Sequence, residues 1–229
     1  GKGTRLYPMT KPVCKPLLPV YDKPLIYYSI AVLMEAGIRD IMIIIPPDEE
    51  QTFRKLLGDG SAFGVQITYA VQYVARGIAD AFLVAEDFVQ GDCACLILGD
   101  NIFYAKDLHE KLMQAASNPN GATVFGYYVD DPRAFGVVEF DENGKAISLE
   151  EKPKHPKSNY IIPGLYFYDA EVLALAKTLQ PSARGELEIT DLNRLYLESG
   201  KLQVIPLESD FVWMDAGTAD SLLESSQTI

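Results

Sequence analysis

The sequence predicts an α/β fold: a mixed, mostly parallel sheet flanked by helices, with a smaller β-rich lobe after it. Three observations predict this. Through the first half, short apolar runs alternate with stretches of helical periodicity, a pattern that builds a parallel sheet covered on both faces. In the second half, two alternating segments flank Asp141-Glu142-Asn143-Gly144, a hairpin signal. The 229 residues are 48% hydrophobic and 23% charged, with no repeat or low-complexity segment, which suits a globular core. The chain reads as one domain over 1–229, with one lobe over 1–130 and a second over 131–229.

Taken in order, residues 27–37 (YYSIAVLMEAG) have helical periodicity and stop at Ala-Gly, a good C-terminal signal. A strand follows over 41–45, then a helix over 48–57 closed by Gly58-Asp59-Gly60. Residues 65–71 alternate as a strand, 77–88 are apolar at helical spacing, and 93–98 form a buried strand ending in Gly99-Asp100-Asn101. A helix over 108–116 and a strand over 122–128 complete the first half. The hairpin arms are 136–141 and 146–151, followed by a Pro/Lys-rich loop and a strand over 161–168. Helices over 170–179 and 188–198 flank the loop 182–186, a strand covers 203–207, and Trp213 to Thr218 reads as a turn.

Composition excludes several functions. A net charge of −12 argues against binding a nucleic-acid polymer or an anionic membrane, which wants a basic face. It does not argue against a nucleotide, because a few local cations decide that. No apolar run reaches the roughly 18 residues of a transmembrane helix. Cys14, Cys93 and Cys95 make neither a disulfide framework nor a metal site, and read as core or loop residues of a reducing, cytoplasmic compartment. His109 and His155 have no triad partner at a readable spacing. No secretory leader is visible, and the sequence begins inside a loop.

That loop is the strongest chemical candidate. Gly1-Lys2-Gly3-Thr4-Arg5 and then Lys15-Pro16 combine glycines that let backbone N–H groups converge on an anion with the cations a polyphosphate needs. The same residues also read as a disordered basic start. Asp100 follows an apolar strand, where a parallel sheet places its ligands, and Asp215 ends a Trp-containing apolar segment. Together they suit one Mg²⁺, which takes one or two carboxylates plus phosphates; each also reads as a turn residue beside Gly. Lys152, after Glu150-Glu151 and before Pro153, reads either as a solvated surface charge or as a phosphate contact where a strand leaves the sheet.

Gly1-x-Gly3-Thr4-Arg5-Leu6-x-Pro8-x-Thr10 followed by Lys15-Pro16 resembles the signature of the sugar-1-phosphate nucleotidylyltransferases. The blocks at 19–24, 56–61, 99–104, 150–153, 156–160, 164–169 and 184–191, in that order, resemble the thymidylyl branch of that family. The resemblance implies a Rossmann-like fold with a sugar-binding second lobe. It also implies in-line transfer of a deoxythymidylyl group from dTTP to glucose 1-phosphate, giving dTDP-glucose and pyrophosphate, with Mg²⁺ and no covalent enzyme intermediate. Under it, Gly1, Gly3, Thr4 and Arg5 bind the triphosphate, and Arg5 and Lys15 stabilise charge on the reacting phosphates. Asp100 and Asp215 hold Mg²⁺, and Lys152 grips the sugar phosphate. Glu151 and the backbones of Gly136 and Gly164 address sugar hydroxyls, while Gln72 and Gly77 read the thymine. It implies a homotetramer serving deoxysugar and polysaccharide synthesis. The competing expectations are a uridylyl- or cytidylyltransferase and a catalytically silent regulatory subunit; the charged residues Arg5, Lys15, Asp100, Lys152 and Asp215 favour an enzyme.

The sequence departs from that pattern in places. The resemblance implies a hydrophobic strand ending in Ala-Gly-Gly ahead of Gly1, and the expectation is that this strand lies outside the sequence in hand. Gln72-Tyr73-Val74-Ala75-Arg76-Gly77 lacks the prolines expected there, so the loop is less rigid and Arg76 adds a charge, leaving thymine preference over uracil open. Phe135 replaces an expected Tyr, removing one hydroxyl worth about 1 kcal/mol in a hydrogen bond. The sequence also stops soon after Thr218, where the resemblance implies that longer members add a helical tail.

Overall fold

In the computed structural model of the chain, residues 3–229 are described; Gly1, expected at the triphosphate, lies outside them. One-turn 3-10 helices at Thr4–Leu6 and Lys15–Leu17 open the chain. There follow β1 (Pro19–Val20), β2 (Lys23–Pro24), α1 (Leu25–Glu35), β3 (Asp40–Ile45), α2 (Glu50–Leu57) and β4 (Gln66–Val71). Next come α3 (Asp80–Val84), α4 (Glu86–Val89), β5 (Ala94–Ile97), β6 (Ile102–Tyr104), α5 (Leu108–Ala116) and β7 (Ala122–Tyr128). The rest are β8 (Gly136–Phe140), β9 (Ala146–Glu151), β10 (Tyr160–Ile161), β11 (Leu165–Tyr168), α6 (Val172–Ala176), α7 (Ile189–Glu198), β12 (Leu202–Pro206), β13 (Val212–Met214) and α8 (Ala219–Thr228). None of these helices is long and apolar enough to cross a membrane.

The α/β class holds, and most elements fall where periodicity places them. Four do not. The helix expected over 77–88 is two short ones, because Gly77 has φ +108° and Ala85 leaves helical geometry at φ −95°, ψ 19°. The strand expected over 161–168 is broken between β10 and β11 by Pro163-Gly164, since proline cannot donate to a ladder. The segment from Trp213, read as a turn, lies in a short strand, β13, paired with β6. Helix α8 was not anticipated; Thr218 and Ser221 start it with a reciprocal capping box.

Two compact units interleave in sequence. The first is Gly1–Tyr73, Ile97–Leu112 and Asp210–Ile229; the second is Val74–Leu96 and Met113–Ser209. The expected single change of character near residue 130 does not coincide with these boundaries. In the first unit β3 and β4 pair in parallel, Ile41 opposite Ile67 and Ile45 opposite Val71. Antiparallel β6 and β13 put Ile102 opposite Met214 and Phe103 opposite Trp213. Val20, Leu25, Ile102 and Ala216 form a buried cluster there, with Tyr28, Met214 and Leu222 packed on it. Burial of Val20, Leu25 and Ile102 contributes about 1.5–3 kcal/mol each.

The second unit is built on a seven-stranded sheet among the described residues, in the order β5-β11-β7-β10-β8-β9, with β12 also on β7. Strand β12 runs parallel to β7; β10, β11 and the β8–β9 hairpin pair antiparallel. Val124 and Phe125 of β7 are buried at its centre. A polar network locks the point where β11 ends and β7 begins: Asp169 accepts from the Tyr196 hydroxyl at 2.8 Å and from Gly121 N at 2.6 Å, and Tyr168 donates to Asn193 at 2.6 Å.

Candidate active site

In the first unit, Gly3 stands at φ +60° ahead of the one-turn helix Thr4–Leu6. A Cβ there would meet Thr10 Cγ2 at 3.0 Å, so both backbone and space favour glycine. Thr10 Oγ1 donates to Gly3 O at 2.7 Å, and Leu6 N donates to the same carbonyl at 2.9 Å. With Leu6 and Thr10 buried beneath it, the turn leaves Thr4 and Arg5 exposed. Thr10 fixes the loop, a role its place in the motif did not reveal.

Lys15 begins the next 3-10 turn and points inward. Its Nζ lies 2.6 Å from Asp100 Oδ2 and donates to the main-chain oxygen of Asp215, also at 2.6 Å. The Lys15 side chain is 11% exposed and that of Asp100 31%. The strand register explains the meeting. Asp100 lies two residues before Ile102 in β6, Asp215 directly follows Met214 in β13, and Ile102 faces Met214, so both acids leave the ladder at one end. Asp100 Oδ1 accepts from Asn101 Nδ2 at 2.8 Å, and Asn101 Oδ1 accepts from Trp213 Nε1 at 2.7 Å, tying the two strand ends together. Asp215 Oδ1 accepts from Gly217 N at 3.1 Å. Between them Ala216 is buried at φ +43°, a left-handed conformation that costs a non-glycine residue about 1–3 kcal/mol. Beside Lys15, burial and then Glu49 push the Cys14 thiol up to about 12.

The cluster fits a divalent cation. Its donors are hard oxygens, and a cationic ammonium already sits among them. Among the described residues no group of three or more His, Cys, Asp or Glu side chains gathers, here or elsewhere, so any cation at this place relies on the two carboxylates and on ligands from outside the protein. Two carboxylates leave positions for water and phosphate oxygens, which suits Mg²⁺ better than a closed cage. Gln72 also belongs to this unit; its N–H donates to Ile45 O at 2.9 Å just past β4.

In the second unit, Gly136 opens β8 opposite Glu151 at the end of β9. A Cβ on Gly136 would fall 2.7 Å from Thr190 Oγ1. That hydroxyl donates to Glu151 Oε2 at 2.5 Å. Glu151 Oε1 has Lys152 Nζ and Arg184 Nη2 each at 3.5 Å. Lys152 is held at φ +45° with its N–H on Phe135 O at 2.9 Å, and its side chain is 43% exposed. Gly164 is buried between β10 and β11. Gly77 stands at φ +108°, and its absent Cβ leaves room for the Leu187 carbonyl.

Sequence reading gave no role to Arg184 or Thr190. Arg184 grips buried Glu188 through Nη2 at 2.8 and 2.9 Å and also reaches Glu186 at 3.0 Å. Burial works against its charge, but Glu188, Glu186 and Glu151 raise its pKa. Arg184-Gly185-Glu186 belongs to the 184–191 stretch that resembles the family, so the charge alternation is the available signal. The threonine at the start of α7 carries no such mark.

A family model described as nucleotidyl transferase matches residues 1–229. The chain belongs to that family. Among relatives of this nucleotidyl transferase, the glucose-1-phosphate thymidylyltransferase of Neisseria meningitidis is 56% identical over 229 residues, all of this chain and 80% of that protein. The enzyme of the same name from Mycobacterium tuberculosis is 51% identical, across 100% of this chain and 79% of its own length. In three dimensions the chain is similar, at TM-score 0.91 and 45% identity, to a Bacillus anthracis protein provisionally assigned as a glucose-1-phosphate thymidylyltransferase and solved with a sucrose; 100% and 91% of the two chains are covered. UDP-glucose pyrophosphorylase with UDP-glucose matches at TM-score 0.82 and 23% identity, over 100% and 94%, a likeness of fold alone.

Proposed function

We propose that this chain transfers a deoxythymidylyl group from dTTP to glucose 1-phosphate, releasing pyrophosphate and forming dTDP-glucose. The observation that carries the reading is the Lys15–Asp100–Asp215 cluster: a cation among oxygen donors, at a strand end, in a chain whose full-length relatives bear that enzyme's name. The chemistry is displacement at the α-phosphorus by the sugar phosphate oxygen, so the protein's work is positioning and charge stabilisation.

Thr4 and Arg5, exposed on the turn behind Gly3, bind the triphosphate, and Arg5 draws charge toward the leaving pyrophosphate. Lys15 moves from Asp100 onto a phosphate oxygen. Asp100 and Asp215 hold Mg²⁺, which when bound neutralises charge on phosphate oxygens. In the second unit, Lys152 grips the acceptor's phosphate and Glu151 accepts from a sugar hydroxyl through Oε1, its Oε2 being engaged by Thr190. The Gly136 and Gly164 backbones fill out the sugar contacts, and Gln72 and Gly77 address the base. A homo-oligomer, a tetramer, in the cytoplasm belongs to the same reading; light scattering during gel filtration checks the assembly.

The test is pyrophosphate release from dTTP and glucose 1-phosphate, with and without Mg²⁺, in the wild type and in Asp100→Asn. Release that requires Mg²⁺ and is lost in the variant is expected. Full activity of Asp100→Asn at low Mg²⁺ would remove Asp100 from the site.

A further inference from the structure

Arg76 is a charge in a loop where proline is expected, and the reaction described above gives it nothing to do. The structure provides it with a partner. Asp80, the first residue of α3, is 0% exposed, and Arg76 Nη2 lies 2.8 Å from its Oδ1 with the Arg76 side chain 58% exposed. The backbone on either side of Gly77 is fastened to one residue. Leu187 N donates to Arg76 O at 2.6 Å, and Ala79 N donates to Leu187 O at 3.1 Å. An ideal Cβ on Gly77 would fall 2.4 Å from that same oxygen. Tyr73 and Val74, by contrast, are exposed. The loop is therefore clamped at its C-terminal end and open toward Tyr73.

Proline stiffens a loop by limiting φ before folding. An ion pair stiffens it afterwards, and a buried carboxylate that loses its cation destabilises the arrangement that buried it. The spacing from Arg76 to Asp80 spans the residues that touch Leu187, so the pair closes over the clamp. We propose that the Arg76–Asp80 pair is the brace that holds residues 76–79 against Leu187, making both side chains positioning residues for the nucleotide base. The inference rests on the reading that Gly77 and Gln72 address the base, and extends it to what keeps Gly77 in place.

Two measurements test it. In steady-state kinetics, Arg76→Ala raises KM for dTTP roughly tenfold, while kcat and KM for glucose 1-phosphate stay within about twofold, and Arg76→Lys recovers part of the loss. An unchanged KM for dTTP overturns the brace, as does a fall in kcat with both KM values unmoved, the mark of a smaller folded fraction. The second measurement needs no substrate. Asp80→Asn keeps Arg76, and the brace predicts faster tryptic cleavage after Arg76 than in the wild type, with other sites unaffected. Equal cleavage rates overturn it. If the wild type shows no reaction with dTTP and glucose 1-phosphate, the proposed function fails, and the tryptic comparison still decides the brace. If Asp80→Asn does not fold, Arg76→Ala decides it.

Discussion

Lys152 combines two properties that seldom coincide: a half-exposed ammonium and a left-handed backbone at φ +45°. Strain in a non-glycine residue costs about 1–3 kcal/mol and persists where surrounding structure overrides it, here the hydrogen bond from Lys152 N to Phe135 O. Stability and function therefore separate at this position. Lys152→Gly should melt higher than Lys152→Ala, by about 1 kcal/mol in unfolding free energy. Both variants should raise KM for glucose 1-phosphate by roughly tenfold or more, the scale of a lost hydrogen bond to a charged group. An unchanged KM would take Lys152 off the phosphate. Lys15 offers a second separation. Its ammonium fills the donor set proposed for the metal, so Lys15→Met should bind Mg²⁺ several-fold more tightly without nucleotide, reflecting a partly buried ion pair worth about 1 kcal/mol, while turning over more slowly. Calorimetric titration with Mg²⁺ alone reads the first effect; equal affinity in the two proteins would contradict it. Neither property is visible in a residue type. Lys152 and Asp215 could be named from the sequence, but the φ values of Lys152 and Ala216 and the inward turn of Lys15 arise from the folded backbone around them.

At the scale of elements, pairing explains what periodicity did not. Helices such as α5 and strands such as β7 were legible because each repeats one pattern over several residues. Strands β6 and β13 have three residues each; the first has no periodic pattern to announce it and the second reads as a turn, and each is a strand only because the other is opposite. That long-range pairing brings Asp100 and Asp215 to one end, so the sequence offers them as two separate candidates and the ladder that joins them is not visible in it. Glycine at 121 shows the same dependence. It has φ +98°, and a Cβ there would lie 2.1 Å from Lys201 O, where β7 and β12 begin their parallel run. Gly121→Ala should therefore destabilise the protein by about 3 kcal/mol or more, read in denaturant unfolding; a loss under about 1 kcal/mol would mean that the strand start can yield. The cysteines also report on their elements. Burial pushes the Cys14 thiol up to about 12, and burial pushes that of Cys95 higher still, whereas Cys93 is exposed at the start of β5. A thiol reagent at pH 8 should label Cys93 first, because the thiolate is the reactive form; peptide mapping showing Cys14 labelled as fast would contradict the buried setting of the Lys15 turn.

Across the whole molecule, the family and its fold were legible because motif blocks run through nearly the full chain in order, and family membership covers residues 1–229. The residues that hold the site residues in place were less legible. Thr10 under Gly3, Thr190 on Glu151 and Arg184 on Glu188 act through single hydrogen bonds or ion pairs between distant segments, and no local pattern announces them. The two units interleave for a related reason: β6 pairs with β13 across more than a hundred residues of chain, and a sequence window does not span that distance. The central claim is that these parts serve thymidylyl transfer to glucose 1-phosphate. Its most direct measurement is pyrophosphate release with dTTP, UTP, CTP and ATP side by side, each with glucose 1-phosphate and Mg²⁺. The account predicts turnover with dTTP above the others and dTDP-glucose as the product; no release with any nucleotide, or release with UTP or CTP well above dTTP, would contradict it.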